Sequence, residues 1–462
     1  MAEELSRADR SSLAAERGPV NMSILAALIL EPGAEISYDA LCRRVEERIH
    51  LLPRYRQRIE QPALGLTAPV WTDDEHFDVR WHVRRTALPH PGSTADLAAF
   101  VGAEASRRMD RSHPLWELHL VEGLSRGRTA VVPKMHHALL DGMAALGVGM
   151  ILLDPTPEPL PVEAPAEPWT PRPFAMRRQI AQLAASQVTR AQKLAFDTAF
   201  RALEATPRST AGDLWRATEL LTELARLRLP PPELPINRPI SPNRSYAMGH
   251  APLAGIKIAA RAVGATVNDV VLAAVSGMLA RYLREAGVDP AGLPREPVAL
   301  VPVSVRREDD AAGGNRFSLV FIDLPAAEED PRRRIALINE RTTAAKRSAR
   351  VAAGSLLLDA AGFGPPLLAS MLARTQGDRA PCNLVVSNIP GPQFPFYLGG
   401  ARVLGAHPVI PLNPASQGLS VGVLSYDGML CFGLTADRDL DPPVERAADA
   451  LEHALTAILS IR

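Results

Sequence analysis

The alternation of apolar and polar positions divides the chain into two regions of mixed strands and helices. In the first region, short β-branched and aliphatic runs predict strands, and apolar residues at helical spacing predict helices. The predicted strands are Ser23–Leu30, Asp78–Ala87, Trp116–Glu122 and Thr129–Met135, and the predicted helices are Tyr38–Leu51, Thr94–Met109 and Met143–Leu153.

The same mixture of patterns returns at about Ser245 and continues to the end of the chain. Strands and helices in both halves favour two α/β sandwich-like domains over a simple βαβ array. The predicted helices are Leu253–Val263, Val267–Ala286, Arg332–Arg350 and Pro443–Ile461, and the predicted strands are Pro297–Val305, Ser318–Leu324, Asn383–Asn388, Leu419–Leu424 and Met429–Leu434.

Between the two halves lies a stretch that is rich in proline, with eight prolines from Pro155 to Pro173. This density excludes a helix and favours an extended tether. Residues 174–228 then show an amphipathic helical pattern, which fits a surface connector, or else a lid or a membrane-surface helix. We therefore predict an N-terminal domain over 1–154, a tether and connector over 155–240, and a C-terminal domain over 241–462.

Composition narrows the class of protein. Lys and Arg together number 51, as do Asp and Glu, so no overall positive field attracts nucleic acid. Three widely spaced cysteines favour a reducing compartment without a disulfide framework. The charged start of the chain lacks the apolar core of a signal peptide, and no apolar run approaches the thickness of a bilayer. The expected protein is cytoplasmic, and either soluble or peripheral on the inner face of the membrane.

The candidate chemistry lies between the strand that ends at Met135 and the helix predicted from Met143. Two adjacent histidines, His136 and His137, are followed by Asp141 and Gly142. Histidine suits general-base catalysis because its ordinary pKa lies close to neutral pH. Asp141 falls at the expected helix N-cap, with Gly142 in the first turn. The histidines are therefore expected on a turn between a strand and a buried helix.

Other interpretations of the two histidines are weaker. They could be structural, as most histidines are. A zinc site is disfavoured because adjacent residues on extended backbone point in opposite directions and no third ligand stands at a typical spacing. A serine hydrolase would need a G-x-S-x-G elbow, which the chain lacks. Cys382 opens a strand and fits a small buried residue better than a nucleophile. The remaining interpretation is a histidine that acts directly as a base on a substrate hydroxyl, amine or thiol.

The motif His136-His137-x-x-x-Asp141-Gly142 resembles the HHxxxDG signature of the CoA-dependent acyltransferase superfamily, which includes chloramphenicol and carnitine acyltransferases and peptide-synthetase condensation domains. Within it, the chain resembles the bacterial wax ester synthase/diacylglycerol acyltransferases nearly end to end. The further blocks that carry this resemblance are Pro114–Leu124, Thr266–Ala273, Val301–Arg306, Gly314–Arg316, Val386–Pro392 and Phe432–Asp437.

The resemblance implies two chloramphenicol-acetyltransferase-like domains with the active site in a tunnel at their interface. It implies that His137 takes the proton from an alcohol, which then attacks an acyl-CoA thioester without an acyl-enzyme. His136 would support the turn or, as the alternative, act as a second base. Asp141 could orient a histidine, but the superfamily implies a buried ion pair with an arginine, for which Arg306 is the candidate. Gly142 would leave space for substrate.

Three further residues are candidates for binding the oxyanion or the substrate: Asn268, Ser387 and Asn388. A helix N-cap for Asn268 and a strand-end turn for Asn388 are equally good interpretations. The implied substrates are acyl-CoA with diacylglycerol or a long-chain alcohol, without a cofactor or a metal, and with possible contact to a membrane or lipid-droplet surface. The alternatives are a condensation-like acyltransferase acting on a specialised metabolite and a non-catalytic lipid-binding protein.

Overall fold

The computed structural model describes residues 3–33, 36–61, 69–139, 149, 152–172, 231–304, 317–353, 381–412 and 416–461. The connector predicted over 174–228 lies outside the described residues, as do Asp141, Gly142 and Arg306.

Fifteen strands are found within the described residues. In chain order they are β1 Glu3–Glu4, β2 Ser23–Leu30, β3 Gln57–Glu60, β4 Val70–Asp73, β5 Val83–Ala87, β6 Trp116–Leu124, β7 Arg128–His136, β8 Arg244–Pro252, β9 Val298–Ser304, β10 Phe317–Asp323, β11 Leu384–Pro390, β12 Tyr397–Leu398, β13 Ala401–Val409, β14 Leu419–Tyr426 and β15 Met429–Asp437.

The described helices alternate with these strands in both halves of the chain. They are α1 Arg7–Ala15, α2 Tyr38–Arg48, α3 Val79–His82, α4 Thr94–Ser106, α5 Leu253–Val263, α6 Val267–Glu285, α7 Pro331–Ala353 and α8 Val444–Leu459, with short 3-10 turns at Ile49–Leu51, Pro53–Arg56, Ser125–Gly127, His137–Leu139 and Pro290–Gly292.

The strands form two six-stranded sheets and one small sheet. The first large sheet has the order β12-β13-β2-β7-β6-β5, the second β10-β9-β11-β14-β15-β8, and the small one β1-β4-β3. Strands β12 and β13 come from the last quarter of the chain but complete the first sheet, where β13 pairs with β2. The predicted division into 1–154, 155–240 and 241–462 stays a prediction. Strands β12 and β13 fall within 241–462 and yet belong to the first sheet.

Apolar residues on both faces of the first sheet explain its layers. Helix α2 packs on one face through Leu41 and Val45, and α4 packs on the other through Leu97 and Val101. Helix α4 also contacts β8 of the second sheet, where Ser106 Oγ accepts a hydrogen bond of 2.7 Å from the backbone N–H of Arg244. The two sheets are therefore joined through the α4 face of the first one.

The second sheet buries a largely apolar core against α5, α6 and α8. Helix α6 begins after a capping box, in which Thr266 Oγ1 accepts from the N–H of Asp269 and the Asp269 carboxylate accepts from the N–H of Thr266. No single helix among the described residues has the length and apolar character to cross a membrane; α5 and α6 pass that test only as a pair bent by 98°.

The pattern predicted β2 and α5 with the bounds that the structure has, but it was wrong at Asp78–Ala87. Asp78 Oδ1 accepts a hydrogen bond of 2.9 Å from the N–H of Arg80, so it caps the helical turn Val79–His82 and the strand begins only at Val83. Strand β7 runs through Pro133 and ends at His136, one residue beyond the prediction.

The proline-rich stretch, as far as it is described, packs on the first half of the chain. Asp154 forms a buried ion pair with Arg44 and another of 3.0 Å with Arg48. The guanidinium carbon of Arg56 lies over the ring of Trp169, 4.5 Å from the ring centroid. The described part of the tether is thus fixed at both ends.

Candidate active site

The backbone holds His136 and His137 between three segments of the first half. His136 is the last residue of β7 and lies opposite Ser23 of β2. Its N–H donates to the carbonyl of Leu115 at 3.0 Å, and the N–H of His137 donates to the carbonyl of Met22 at 2.9 Å. His137 then opens the 3-10 turn, so the expected turn after the strand holds His137, whereas His136 still belongs to the strand; most of the helix predicted from Met143 lies outside the described residues.

The ring of His136 is buried, with 1% of the residue exposed. Its Nδ1 accepts a hydrogen bond of 3.0 Å from the N–H of Ala138. An imidazole nitrogen that accepts carries no proton, so the proton of this ring is on Nε2. That nitrogen faces the Oε1 of Glu16 at 3.6 Å, which is longer than an ordinary hydrogen bond. The bonding of His136 therefore stabilises the turn that holds His137.

His137 is exposed to solvent, but the protein around it desolvates part of its ring. Burial lowers its pKa, as does the neighbouring His136, while a hydrogen bond to its own backbone and the charge of Asp9 act in the opposite direction. Nδ1 lies 3.4 Å from Ser12 Oγ, which can accept a hydrogen bond from it, and no described hydrogen bond reaches Nε2. A proton on Nδ1 leaves Nε2 free to accept a proton, which is what a general base requires.

Glu16 is a site residue that sequence reasoning missed. It is the C-cap residue of α1 and is 7% exposed. Its Oε1 accepts a hydrogen bond of 3.2 Å from the N–H of Met22, and its Oε2 pairs with Arg111 at 2.7 Å. Burial raises its pKa, but the interactions with His136 and Arg111 outweigh burial and bring the pKa to about 2. Glu16 and Ser12 belong to the charged start of the chain, which carries no local motif for catalysis.

A buried charge cluster, made of Glu104, Glu117, His119 and Lys134, lies on the same face of the sheet. Glu117 of β6 and Lys134 of β7 are directly opposite in register. The Lys134 Nζ is 3.5 Å from Glu104 Oε2, and His119 Nε2 is 3.2 Å from Glu117 Oε2. Lys134 and His136 point to the same side of β7 because side chains alternate along a strand. The cluster therefore adjoins the histidine turn.

Charge in this cluster is balanced by its own members, by Arg84 next to Glu117 and by Arg107 next to Glu104. Burial raises the pKa of Glu117, but the hydrogen bond from His119 and the charges of Lys134 and Arg84 bring it down to about 2. The side-chain donor atoms of Glu104, Glu117 and His119 lie within 4.8 Å of one another, as metal ligands would. The Lys134 ammonium already gives these carboxylates a cationic partner.

The second sheet brings two of the other candidates together. Asn388 Nδ2 donates a hydrogen bond of 3.1 Å to Asn268 Oδ1, which joins β11 to the first turn of α6. Thr266 is the N-cap of that helix, so the N-cap interpretation of Asn268 was wrong. Ser387 is half-buried on β11 and lies opposite Gly422 of β14. Among the described hydrogen bonds, none joins these three residues to His136 or His137.

Solved structures identify the fold. The chain matches a starter condensation domain of rhizomide synthetase, crystallised with C8-CoA, with a TM-score of 0.57 and 14% identity over 100% of this chain and 95% of that one. It also matches the first condensation domain of the calcium-dependent antibiotic synthetase, with a TM-score of 0.56 and 14% identity over 100% and 97%. The chain thus has the two-domain α/β fold of condensation domains and chloramphenicol-acetyltransferase-like enzymes.

Family comparisons are more specific. The model of the wax ester synthase/diacylglycerol acyltransferase catalytic domain matches residues 5–271, and the model of the WS/DGAT C-terminal domain matches residues 313–459. The chain belongs to this family and is an acyltransferase of the WS/DGAT type. The wax ester synthase/diacylglycerol acyltransferase of Marinobacter aquaeolei VT8 matches with a TM-score of 0.66 and 27% identity over 98% of both chains.

Curated relatives carry related names. A Mycobacterium tuberculosis H37Rv protein named as a diacylglycerol O-acyltransferase is 34% identical over 436 residues, which cover 92% of this chain and 83% of the relative. A second H37Rv protein so named, tgs2, is 34% identical over 421 residues, which cover 87% and 86%. The family resemblance seen in the sequence motifs is confirmed.

Proposed function

We propose that this acyltransferase moves a long-chain fatty acyl group from acyl-CoA to a hydroxyl of diacylglycerol or of a long-chain alcohol. The products would be triacylglycerol or a wax ester, with free CoA. The observation that carries the proposal is His137, an exposed histidine directly after a buried strand, with no described hydrogen bond to its Nε2. The names of the curated relatives support diacylglycerol as one acceptor.

His137 acts as the general base in this proposal. Its Nε2 takes the proton of the acceptor hydroxyl while the oxygen attacks the thioester carbonyl carbon. The tetrahedral intermediate collapses, the carbon–sulfur bond breaks, and the CoA thiolate takes a proton from the imidazolium. A lowered pKa keeps His137 neutral at pH 7, so the base is ready in the resting protein. His136 supports the turn, since its Nδ1 already accepts the N–H of Ala138.

The oxyanion of the intermediate needs hydrogen-bond donors. We assign the role of donor to Asn268. Asn388 donates a hydrogen bond to Asn268 Oδ1 and so orients the amide with its Nδ2 directed away from Asn388. Ser387 and Asn388 would contact the substrate from β11. The ion pair of Asp141 with Arg306 and the space left by Gly142 stay parts of the proposal that rest on the motif.

Acyl-CoA as the donor is supported by family membership and by the C8-CoA bound in a condensation domain of the same fold. We place the substrates in a tunnel between the two sheets, without a cofactor or a metal. Because diacylglycerol and long-chain alcohols partition into lipid, we propose a cytoplasmic protein that contacts a membrane or lipid-droplet surface.

The experiment is an acceptor panel with the purified full chain. Palmitoyl-CoA is incubated with a diacylglycerol, with hexadecanol, with an amino-acyl thioester or with no acceptor, and thiol release and products are followed together. Ester formation with diacylglycerol or hexadecanol supports the proposal. Product only with the amine acceptor would favour a condensation-like enzyme, and lipid binding without turnover in any arm would favour a non-catalytic protein.

A further inference from the structure

Glu16 lies where the end of α1, the start of β2 and the histidine turn meet. It caps the carboxyl end of α1, and its carboxylate accepts the N–H of Met22 and pairs with Arg111. Met22 in turn provides the carbonyl that accepts the N–H of His137. A single buried carboxylate therefore organises the segment against which the catalytic turn rests.

The same carboxylate also faces His136. Its Oε1 lies 3.6 Å from His136 Nε2, the nitrogen that must carry the proton because Nδ1 accepts from Ala138. A carboxylate beside one imidazole nitrogen selects the tautomer with the proton on that side. With the other tautomer, the N–H of Ala138 would meet an N–H and the turn from His137 to Leu139 would lose its bond.

We propose that Glu16 is a positioning residue for acyl transfer: it fixes the tautomer of His136, which holds the turn and so aims the ring of His137. The residue needs no contact with substrate for this role. Its catalytic consequence rests on the proposed function of His137, whereas its effect on the tautomer does not.

Kinetics of five full-length proteins test the proposal: E16A, E16Q, H136Q, the double variant E16A/H136Q, and E452Q as a matched control at an exposed glutamate of α8. We expect E16A to lower kcat by on the order of 10- to 100-fold, because small displacements of a catalytic group have effects of this size. KM for acyl-CoA and acceptor should change far less. E16Q should keep more activity, since its amide oxygen can still face the N–H of His136 and accept from the N–H of Met22.

The double variant distinguishes positioning from general damage. Residues that act through one another are not additive, so E16A should cost little further activity in the H136Q background. Independent, multiplying losses would overturn the proposal, as would an E16A protein with normal kcat. Thermal unfolding of each variant gives the folded fraction, and E16Q carries the same comparison if E16A does not fold.

A readout without turnover separates this proposal from the proposed function. In the histidine-¹⁵N-labelled protein, the ring signals of His136 are identified by their loss in H136Q. We expect the Nε2-protonated tautomer in the wild type and in E452Q, and a mixture in E16A. An Nδ1-protonated His136 in the wild type, or no change in E16A, would overturn the role of Glu16. If the signals behave as expected but no acyl-CoA reaction is found, only the proposed function fails.

Discussion

The two six-stranded sheets are alike in size but bury different chemistry. Between β6 and β7, the first sheet buries Glu117, His119, Lys134 and His136 on the face that α4 covers. The paired strands β14 and β15 of the second sheet bury mainly aliphatic and aromatic side chains, of which Phe432 is fully enclosed. Helices α5, α6 and α8 cover that apolar layer.

The difference separates precise positioning from bulk stability. A buried charge has to find partners at fixed distances, so the cluster beside the histidine turn admits few arrangements. An apolar core of the right volume tolerates more rearrangement. We infer that the first sheet positions the reacting groups, while the second supplies a stable frame and the amide pair Asn268–Asn388.

The largest expected effect on stability comes from Lys134→Met. The substitution leaves Glu104 and Glu117 buried without their ammonium partner, which should cost about 3–5 kcal/mol of unfolding free energy. Urea unfolding monitored by circular dichroism measures it. In the E104Q/E117Q background the same substitution should cost much less. A loss below about 1 kcal/mol in the wild type would show that these charges are not coupled.

Phe432→Ala provides the matching change in the second sheet. The cavity should cost a comparable amount, about 3–5 kcal/mol, because large buried side chains lose both burial and packing. The two variants should differ in turnover: at equal folded fraction, kcat should stay near normal in F432A and fall in K134M, which alters the strand two residues before His136. Equal losses of kcat would remove the functional distinction between the sheets.

Acid should lower the free energy of unfolding through His82, which is buried in the first half of the chain. Burial lowers the pKa of His82 from 6.5 to about 4, although its hydrogen bond to the Trp116 carbonyl raises it. The unfolded chain binds a proton below pH 6.5 and the folded one does not, so this stability is present above pH 6.5 and is lost as pH falls from 6.5 to 4. The loss amounts to about 3 kcal/mol.

Urea unfolding at pH 7, 6 and 5 tests this, with H82Q as the variant whose amide can still donate to Trp116. We expect a shallower pH dependence in H82Q than in the wild type. Some dependence should persist, because burial also lowers the pKa of His407 to about 4. Parallel curves for the two proteins would place the acid sensitivity elsewhere.

A smaller effect is expected at the amide pair. Asn268→Ala should lower kcat by roughly 10- to 1,000-fold if Nδ2 stabilises the oxyanion, in line with the loss of one such donor. Thr266→Ala is the control on the same helix turn, since it removes a cap worth about 1 kcal/mol but no proposed substrate contact. If both variants lower kcat alike, Asn268 acts on the helix and not on the reaction.

The sequence predicted much of the fold because many elements carry strong local patterns. The α5 helix and the β2 strand were correct to the residue, and the strand–turn location of His137 followed from a strand signal ending at Met135. Strands β8 and β13 were missed, because their exposed or small residues weaken the alternation and β13 gains its partners from a sheet formed far earlier in the chain.

The site was predictable only as far as its motif. His136, His137, Asn268 and Asn388 were candidates from the sequence, and the structure joins the last two by a hydrogen bond. Glu16 was not a candidate, because a glutamate after a short helix has no local signal. Its contacts with His136 and Arg111 span more than 90 residues of chain and exist only after folding.

Turnover of His137→Ala tests the central claim most directly. The purified variant is compared with wild type and with H136Q, using palmitoyl-CoA and the best acceptor, at equal folded fraction. Loss of the general base should lower kcat of H137A by about 10²- to 10⁴-fold, with substrate binding retained. If H137A keeps kcat close to that of the wild type, His137 is not the base and the account is contradicted.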